Sequence, residues 1–434
     1  METADVSTVS ALGLSFTLFL GVMLFILPRR YAPIPMLIIG AYMTFGQILN
    51  IAGFHFMMMR VMILIGWVRL LVRGEFKDLK LNKLDVVFLC WLAAHFLIYV
   101  LREQTTDALV YKLGFAYNAL GLYFLFRCLI RDFDDYEIIV KSLAILVIPL
   151  AGLMVLELTT GRNLFSAFGG VSEYTIIRGE RLRCQGPFRH PILAGTFGAV
   201  LFPLFAALYF KKGNKYLAIS ALIAAVVIVG TSASSGPLLA LIGASVAMAI
   251  WPVRLWMKQI RWGILLSIIA IGFMMKAPVW YLLDRVSAIT GGTGWHRAYL
   301  LEQAFNHLDE WWLFGTSIGN TAEWFPYMLT ITSDQADITN QYVSEGLAGG
   351  IITLGLFIAM LVVCFKIIGA AVKSREGNNT YNKIAIWALG ASLFAHVVSY
   401  ISITYFDQTV MYWYLLLSMI SLHVRPLQDS LKKA

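Results

Sequence analysis

Apolar residues run in long blocks along this chain, separated by short polar connections, at roughly 11–28, 34–51, 55–72, 85–101, 113–130, 138–157, 191–210, 216–231, 237–252, 262–276, 346–370, 384–403 and 408–423. Blocks of about 18 to 22 residues are long enough to cross the hydrocarbon of a bilayer as helices. Each such segment must satisfy its own backbone hydrogen bonds in lipid, and none shows the two-residue alternation of a membrane strand. The pattern predicts an all-α polytopic transmembrane helical bundle of about 12–13 spans. It forms one integral membrane domain over residues 1–434, with no soluble domain left over. The first block lacks a basic leader and has no small-residue cleavage site before "LPRR", so it reads as a retained helix.

Composition agrees with that solvent: 59% of residues are hydrophobic and 14% charged. Charge then orients the bundle. Arg29 and Arg30; Arg73, Lys77, Lys80 and Lys83; Arg127, Arg131 and Lys141; Lys211, Lys212 and Lys215; Arg254, Lys258 and Arg261; Lys366, Lys373, Arg375 and Lys383; and Arg425, Lys432 and Lys433 fall on alternate connections. By the positive-inside rule these face the cytoplasm. Segments 102–112, 158–190 and 277–345 then face the other side. The net charge of +9 is mostly spent on topology and does not argue for nucleic acid. The C-terminal "RPLQDSLKKA" is expected to touch anionic lipid weakly.

The loop at 158–190 breaks the charge rule, because Arg162, Arg178, Arg181, Arg183 and Arg189 all lie on the non-cytoplasmic side, ahead of His190 in "RLRCQGPFRHPILAG". Surface solvation, or pairing with Glu173 and Glu180, is one account. An anionic ligand is the other, since the guanidinium fork suits phosphate oxygens.

Segment 277–345 is the longest polar stretch. Within it Ala298, Leu301, Phe305, Leu308 and Trp312 recur at helical spacing, with His296, Gln303 and His307 on a different face. This predicts an amphipathic helix entered through "GGTG". Free amides at such a helix start, beside Arg297, would suit an anion; a helix lying flat among headgroups would need no ligand. Five of the twelve tryptophans (Trp280, Trp295, Trp311, Trp312 and Trp324) lie here, with Tyr281, Tyr299, Phe314, Phe325 and Tyr327 nearby. Such rings stack on sugars and also populate membrane interfaces.

Ionisable groups inside the bilayer are costly and worth inspecting. Arg60 and Arg69 lie in the third block, Glu157 closes the sixth, and Asp407 sits between the last two. Arg60 is either a further phosphate ligand or a residue snorkelling to the interface. His55, His95 and His396 read as structural groups. Of the four cysteines only Cys184 faces outward, so no disulfide framework follows. No D-x-D run lies in the outward segments, the one in the chain (Asp132–Phe133–Asp134) falling on a connection expected to be cytoplasmic; no His or Cys spacing suits a metal, and no cofactor is expected. Gly349, Gly350 and Gly355 suggest a close-packing helix more than a broken one.

The order of "GPFRHP" before a span, "TSASSGPLLAL" at 231–241, "TGWHRAYLLEQA", "LFGTSIGN" and "ITNQYVSEGLAGGIITLGLF" resembles the O-antigen ligase and polymerase superfamily of bacterial envelope enzymes, over approximately residues 180–360. The resemblance implies a metal-independent inverting glycosyltransferase of the bacterial inner membrane. It would take glycan from an undecaprenyl-pyrophosphate carrier on the periplasmic side, which makes 158–190 a periplasmic arginine-rich loop and 277–345 a large periplasmic loop. The acceptor would be lipid A core for a ligase, or another carrier-linked repeat for a polymerase. Arg183, Arg189 and Arg297 match arginines that grip the pyrophosphate. The histidine implicated in activating the acceptor does not carry over: Thr339 stands in its place, followed by Asn340. Ser235 stands where an arginine is often seen. These departures favour an exopolysaccharide polymerase.

Such chemistry requires neutralised pyrophosphate, a deprotonated acceptor hydroxyl and aligned sugars. Arg181, Arg183, Arg189, His190, Arg297, Asn340 and Arg60 are the candidate substrate-binding residues. His296, Asp337 and Glu345 are candidates for the base, and His190 is a fourth. Helix capping is the alternative role of Asp337 and Asn340, and a structural hydrogen bond at a helix start that of His190. The expected partners are the glycan donor and acceptor, membrane lipid, and chain-length regulator or export proteins. An anion or bicarbonate transporter, and a noncatalytic assembly subunit, are the competing classes; no internal repeat of the transporter kind is evident.

Overall fold

Helices fill most of the chain, and each of the thirteen apolar blocks contains one. The computed structural model describes residues 9–51, 54–285, 294–324, 329–330, 333–374 and 380–423. In order, the elements are α1 (Ala11–Ile26), α2 (Pro33–Tyr42), the hairpin strands β1 (Ile48–Ile51) and β2 (Phe54–Met57), α3 (Met58–Arg73), α4 (Lys83–Glu103), α5 (Thr106–Leu129) and α6 (Phe133–Thr160). A second hairpin follows, β3 (Ile176–Arg178) and β4 (Arg181–Arg183), then α7 (Pro191–Leu208), α8 (Lys215–Thr231), α9 (Ser235–Ala249) and α10 (Met257–Met274). The chain continues through α11 (Gly294–Asn306), a small antiparallel pair, Leu329–Thr330 with Ser333–Ala336, and then α12 (Gln341–Ser374), α13 (Thr380–Ser399) and α14 (Gln408–Ser421). Many starts carry a side-chain cap: Ser10, Thr105 and Asp132 each accept from a first-turn amide, and Asn82 with Asp85 forms a capping box. Among the described residues, six helical segments are long and apolar enough to cross a membrane: α4, α5, α6, α7, Trp251–Met274 and α12. The protein is an all-α polytopic helical bundle.

The most enclosed helix is α7, packed against α8, α9 and α13. Its glycines permit this. A Cβ at Gly198 would lie 2.9 Å from the Ala225 carbonyl oxygen, and one at Gly195 2.5 Å from Ser232 Oγ. By contrast α10 buries none of its side chains, so its apolar surface is left for lipid.

The two ends of the bundle differ in chemistry. At one end the connections expected to be cytoplasmic are tied by ion pairs: Arg29 with Asp135, Arg131 with Asp78, Arg69 with Glu75, Arg127 with Asp85 and Lys211 with Glu137. At the other, the loop end, segments 102–112 and 158–190 and the described parts of 277–345 meet the start of α1, the α8–α9 turn and the α13–α14 loop.

Three sequence expectations change. The block 34–51 is not one span: α2 stops at Tyr42, ten residues long, and the chain turns into the β1–β2 hairpin. The buried polar Thr44 and Gln47 bond each other here, and Gly46 touches the Gly170 backbone, with 2.2 Å between a Gly46 Cβ and the Gly170 oxygen. Next, the packing face of α11 is Gly294, Arg297, Ala298, Leu300 and Ala304, while Phe305, Leu308 and Trp312 are exposed. The small residues let α11 approach the first turns of α12, and the bulky aromatics are left facing outward. The three residues before Gly294, which complete the "GGTG" entry, lie outside the described residues.

Finally, α12 is broken. Gly349 (φ −166°, ψ 31°) and Gly350 (φ 66°, ψ −153°) interrupt it. The segment Trp312–Thr316 docks into the gap: Thr316 N–H donates to the Leu347 carbonyl at 3.0 Å and Ile351 N–H to the Trp312 carbonyl at 2.7 Å. Arg102 Nη1 donates to the Leu347 carbonyl at 3.0 Å and to the Phe314 carbonyl at 3.1 Å. The positive φ at Gly350, together with 2.1 Å from a Cβ there to the Leu313 oxygen, requires glycine.

Candidate functional site

The loop end is built around the β3–β4 hairpin. Gly179 (φ 54°) and Glu180 (φ 62°) form its two-residue turn, both left-handed as a type I′ turn demands, so Arg178 pairs with Arg181 and Ile176 with Arg183. Because strand side chains alternate, that register puts Arg178, Arg181 and Arg183 on one face. Arg178 and Arg181 are exposed, while Arg183 is 7% exposed. Arg183 Nη2 donates to Ser234 Oγ at 2.8 Å, and its Nε is buried with no partner.

The loop is held by Glu157, at the end of α6. Its buried carboxylate accepts from Gln185 N at 3.0 Å and Gly186 N at 2.8 Å. Asn163 Nδ2 donates to the Gly186 carbonyl at 2.7 Å, and Cys184 N to the Thr231 carbonyl at 3.0 Å. The intramembrane carboxylate flagged in the sequence is thus an anchor that sets the position of Arg183. Replacing Glu157 with alanine leaves two buried amides unsatisfied. Charge-assisted bonds of this kind are worth about 1.5–3 kcal/mol each. The Glu157→Ala protein is therefore expected to lose on the order of 3 kcal/mol in detergent unfolding, with hydrogen exchange rising first at residues 183–187.

The second arginine arrives from α11. Arg297, 7% exposed on the packing face, donates from Nη2 to Ser235 Oγ at 3.2 Å. Arg183 and Arg297 therefore meet consecutive serines at the α8–α9 turn. Ser402, in the α13–α14 loop, lies 2.5 Å from where a Cβ on Gly236 would stand, and Arg297 Nη2 lies 3.5 Å from that point. Beside Arg297 on α11, His296 Nδ1 is 3.4 Å from Thr339 Oγ1. The position where the resemblance calls for a histidine is thus within reach of a histidine supplied by another element.

Positive charge accumulates here. Burial, and then the field of Arg178, lowers the Arg183 pKa, and the same two causes bring Arg297 down to about 10, which leaves it cationic at neutral pH. His296 is lowered by burial, partly offset by Asp337 and reinforced by Arg297 and Arg178. Burial, followed by Arg183 and Arg178, takes His190 down to about 4. Neutral His190 accepts from Ile192 N at 3.2 Å as the N-cap of α7.

The other candidates are distributed around this cluster. Arg189, half exposed, lies 3.5 Å from the buried carboxylate of Asp407. Asp337 is exposed near His296. Asn340 caps α12, accepting from Tyr342 N and Val343 N. Glu345 is enclosed lower in α12, with Trp91 and Gln341 as donors. Arg60 donates to Asn118 between α3 and α5. Of the proposed acid partners, Glu173 pairs with Arg162 at 3.4 Å. Among the described residues, Arg178, Arg181 and Arg183 make no ion pair. Sequence marks Ser234 only within "TSASSG" and Ser235 only as standing where an arginine is often seen; their role as the meeting point of two guanidiniums depends on tertiary contacts.

Stacked rings flank the cluster: Trp295 on Tyr299 at 5.2 Å, and Trp280 on Phe305 at 5.0 Å. No family model and no curated protein matches this sequence.

Proposed function

We propose that the chain is a metal-independent inverting glycosyltransferase that polymerises polysaccharide repeat units from an undecaprenyl-pyrophosphate-linked donor, with its site on the periplasmic face of a bacterial inner membrane. One observation carries this reading. Among the described residues, Arg183 is buried at the loop end with no carboxylate and an unpartnered Nε, beside a second buried arginine. An uncompensated buried guanidinium costs several kcal/mol, which an anionic ligand offsets. A diphosphate supplies oxygens for both forks.

In the proposed step the acceptor hydroxyl oxygen attacks the anomeric carbon of the donor sugar and the bond to the pyrophosphate oxygen breaks, with inversion. Arg183 and Arg297 hold the charge that grows on the leaving group. The acceptor proton passes to His296, whose depressed pKa keeps it neutral and able to accept at pH 7. In each stacked pair one ring, Trp295 or Phe305, is exposed and offers a surface for sugar.

A broken membrane helix is the feature that would favour an anion transporter. Here the gap in α12 is occupied by Trp312–Thr316 and Arg102, which take up backbone groups an ion would need. The enzyme reading is therefore the stronger.

Purified protein in lipid vesicles, given carrier-linked repeat units, is expected to yield ladders on a gel, with the acid limb of kcat/KM set by His296 below the ordinary histidine value of 6.5. Because Asp337 raises the His296 pKa, Asp337→Asn should move that limb further to lower pH. Absence of ladders together with anion uptake by the same vesicles would replace this reading with transport.

A further inference from the structure

Lys112, near the loop end of α5, is 2% exposed, and its Nζ lies 2.8 Å from His95 Nδ1 on α4. The rings of Tyr99, Phe115 and Tyr111 surround the ammonium at 4.1, 5.1 and 5.3 Å. His95, 7% exposed, stacks on Phe115 at 4.6 Å, which fixes its plane. Its Nε2 stands 3.9 Å from Glu345 Oε2 on α12, and Glu345 is 2% exposed. The same oxygen accepts from Trp91 Nε1 at 2.8 Å, and the other from Gln341 Nε2 at 2.9 Å.

These contacts define a tautomer. With Lys112 as an ammonium, which has only donors, Nδ1 of His95 accepts and the ring proton lies on Nε2, 3.9 Å from the carboxylate oxygen, a gap that must close for the proton to pass. An ammonium, an imidazole and a carboxylate are thus aligned across three membrane helices in a medium that penalises charge. We propose that Lys112, His95 and Glu345 form a buried proton relay, a site whose ligand is a transferable proton.

The transfer is balanced internally. Lys112 gives a proton to His95 Nδ1, and His95 gives its Nε2 proton to Glu345. An amine, the opposite imidazole tautomer and a carboxylic acid remain, and the separated charges are gone. No external acid or oxidant is needed. Arg102 and Glu103 face Lys112 from the end of α4, together with Tyr99 and Tyr111, and Tyr400 and Tyr414 face Glu345. The lower end of the relay lies on the α12 segment that precedes the Gly349–Gly350 break, where Thr353 Oγ1 donates to the Glu345 carbonyl at 2.6 Å. This site is separate from the arginine cluster and its test does not use glycosyl transfer.

Solid-state ¹⁵N NMR of histidine-labelled full-length protein in lipid reads the proton position directly, with His95 assigned through its contact to labelled lysine Nζ. The wild type is expected to show His95 neutral with both ring nitrogens sharing the proton by exchange. Lys112→Met should lock one tautomer, and Glu345→Gln should likewise abolish exchange. The wild-type spectrum decides even where a variant does not fold: a single fixed tautomer from pH 5 to pH 9, or a His95 doubly protonated throughout, overturns the relay. Exchange that persists unchanged in both folded variants overturns it equally.

Discussion

Arg183→Ala is expected to weaken binding of a carrier-linked diphosphate by about 30- to 4000-fold, since removing one buried member of a charge-paired contact costs about 2–5 kcal/mol. The guanidinium is fixed before any ligand arrives: Ser234 accepts from Nη2, Glu157 anchors the residues that follow, and the hairpin turn sets the face. Binding therefore spends little on ordering the side chain. Arg183→Lys should recover only part of the loss, because a point charge does not reproduce the fork. Arg181→Ala, on the same face but exposed, should change affinity little. The distinguishing readout is stability. Removing an unpaired buried charge should leave the apo protein as stable as before or more so, whereas loss of a structural arginine would destabilise it. Unchanged donor affinity, measured by fluorescence titration with a labelled pyrophosphate lipid, would remove Arg183 from the site, and Arg297→Ala is the parallel test on α11.

Block length and charge alternation suffice to read the helices and the sorting of connections to two ends, because both are one-dimensional consequences of lipid as solvent. What they cannot supply is the fate of residues whose partners are distant in sequence. The block at 34–51 looks continuous, yet Gln47 accepts from the Ser10 amide and hydroxyl, each at 3.2 Å, and Gly46 meets Gly170, so the helix ends early. Gly349 and Gly350 fit close packing as well as a break, and only the docking of Trp312–Thr316 distinguishes them. In α11 the apolar spacing marks a face through Ala298, Leu301 and Phe305, whereas packing uses Arg297, Ala298, Leu300 and Ala304 and leaves Phe305 exposed, because the small residues allow the closer approach. The arginine excess on the loop end is visible in sequence. Which arginine is buried depends on hairpin register, and the serine pair that unites Arg183 with Arg297 depends on the approach of α11 to the α8–α9 turn.

Asp85→Ala is expected to destabilise the protein by about 3–5 kcal/mol, the range for breaking a buried ion pair from one side. Asp85 is fully buried at the opposite end of the bundle. Its carboxylate accepts from Arg127 Nε at 3.0 Å and Nη2 at 2.9 Å, from the Asn82 amide at 2.8 Å, and from the Tyr123 hydroxyl. Alanine at this position leaves Arg127 enclosed without a counter-charge, removes half of the α4 capping box and strands a buried phenol. Against a total stability of about 5–15 kcal/mol, that loss is large enough to reduce the amount of folded protein recovered from membranes. The double variant Asp85→Ala/Arg127→Met should regain part of it, because the charge left behind is then gone, and unfolding in a double-mutant cycle reads the coupling. A loss below about 1 kcal/mol for the single variant would mean that water reaches and solvates Arg127. The opposite locations of the two clusters also predict opposite phenotypes: Asp85→Ala should lower the yield of folded molecules while those that fold bind diphosphate normally, and Arg183→Ala should preserve yield while binding is lost.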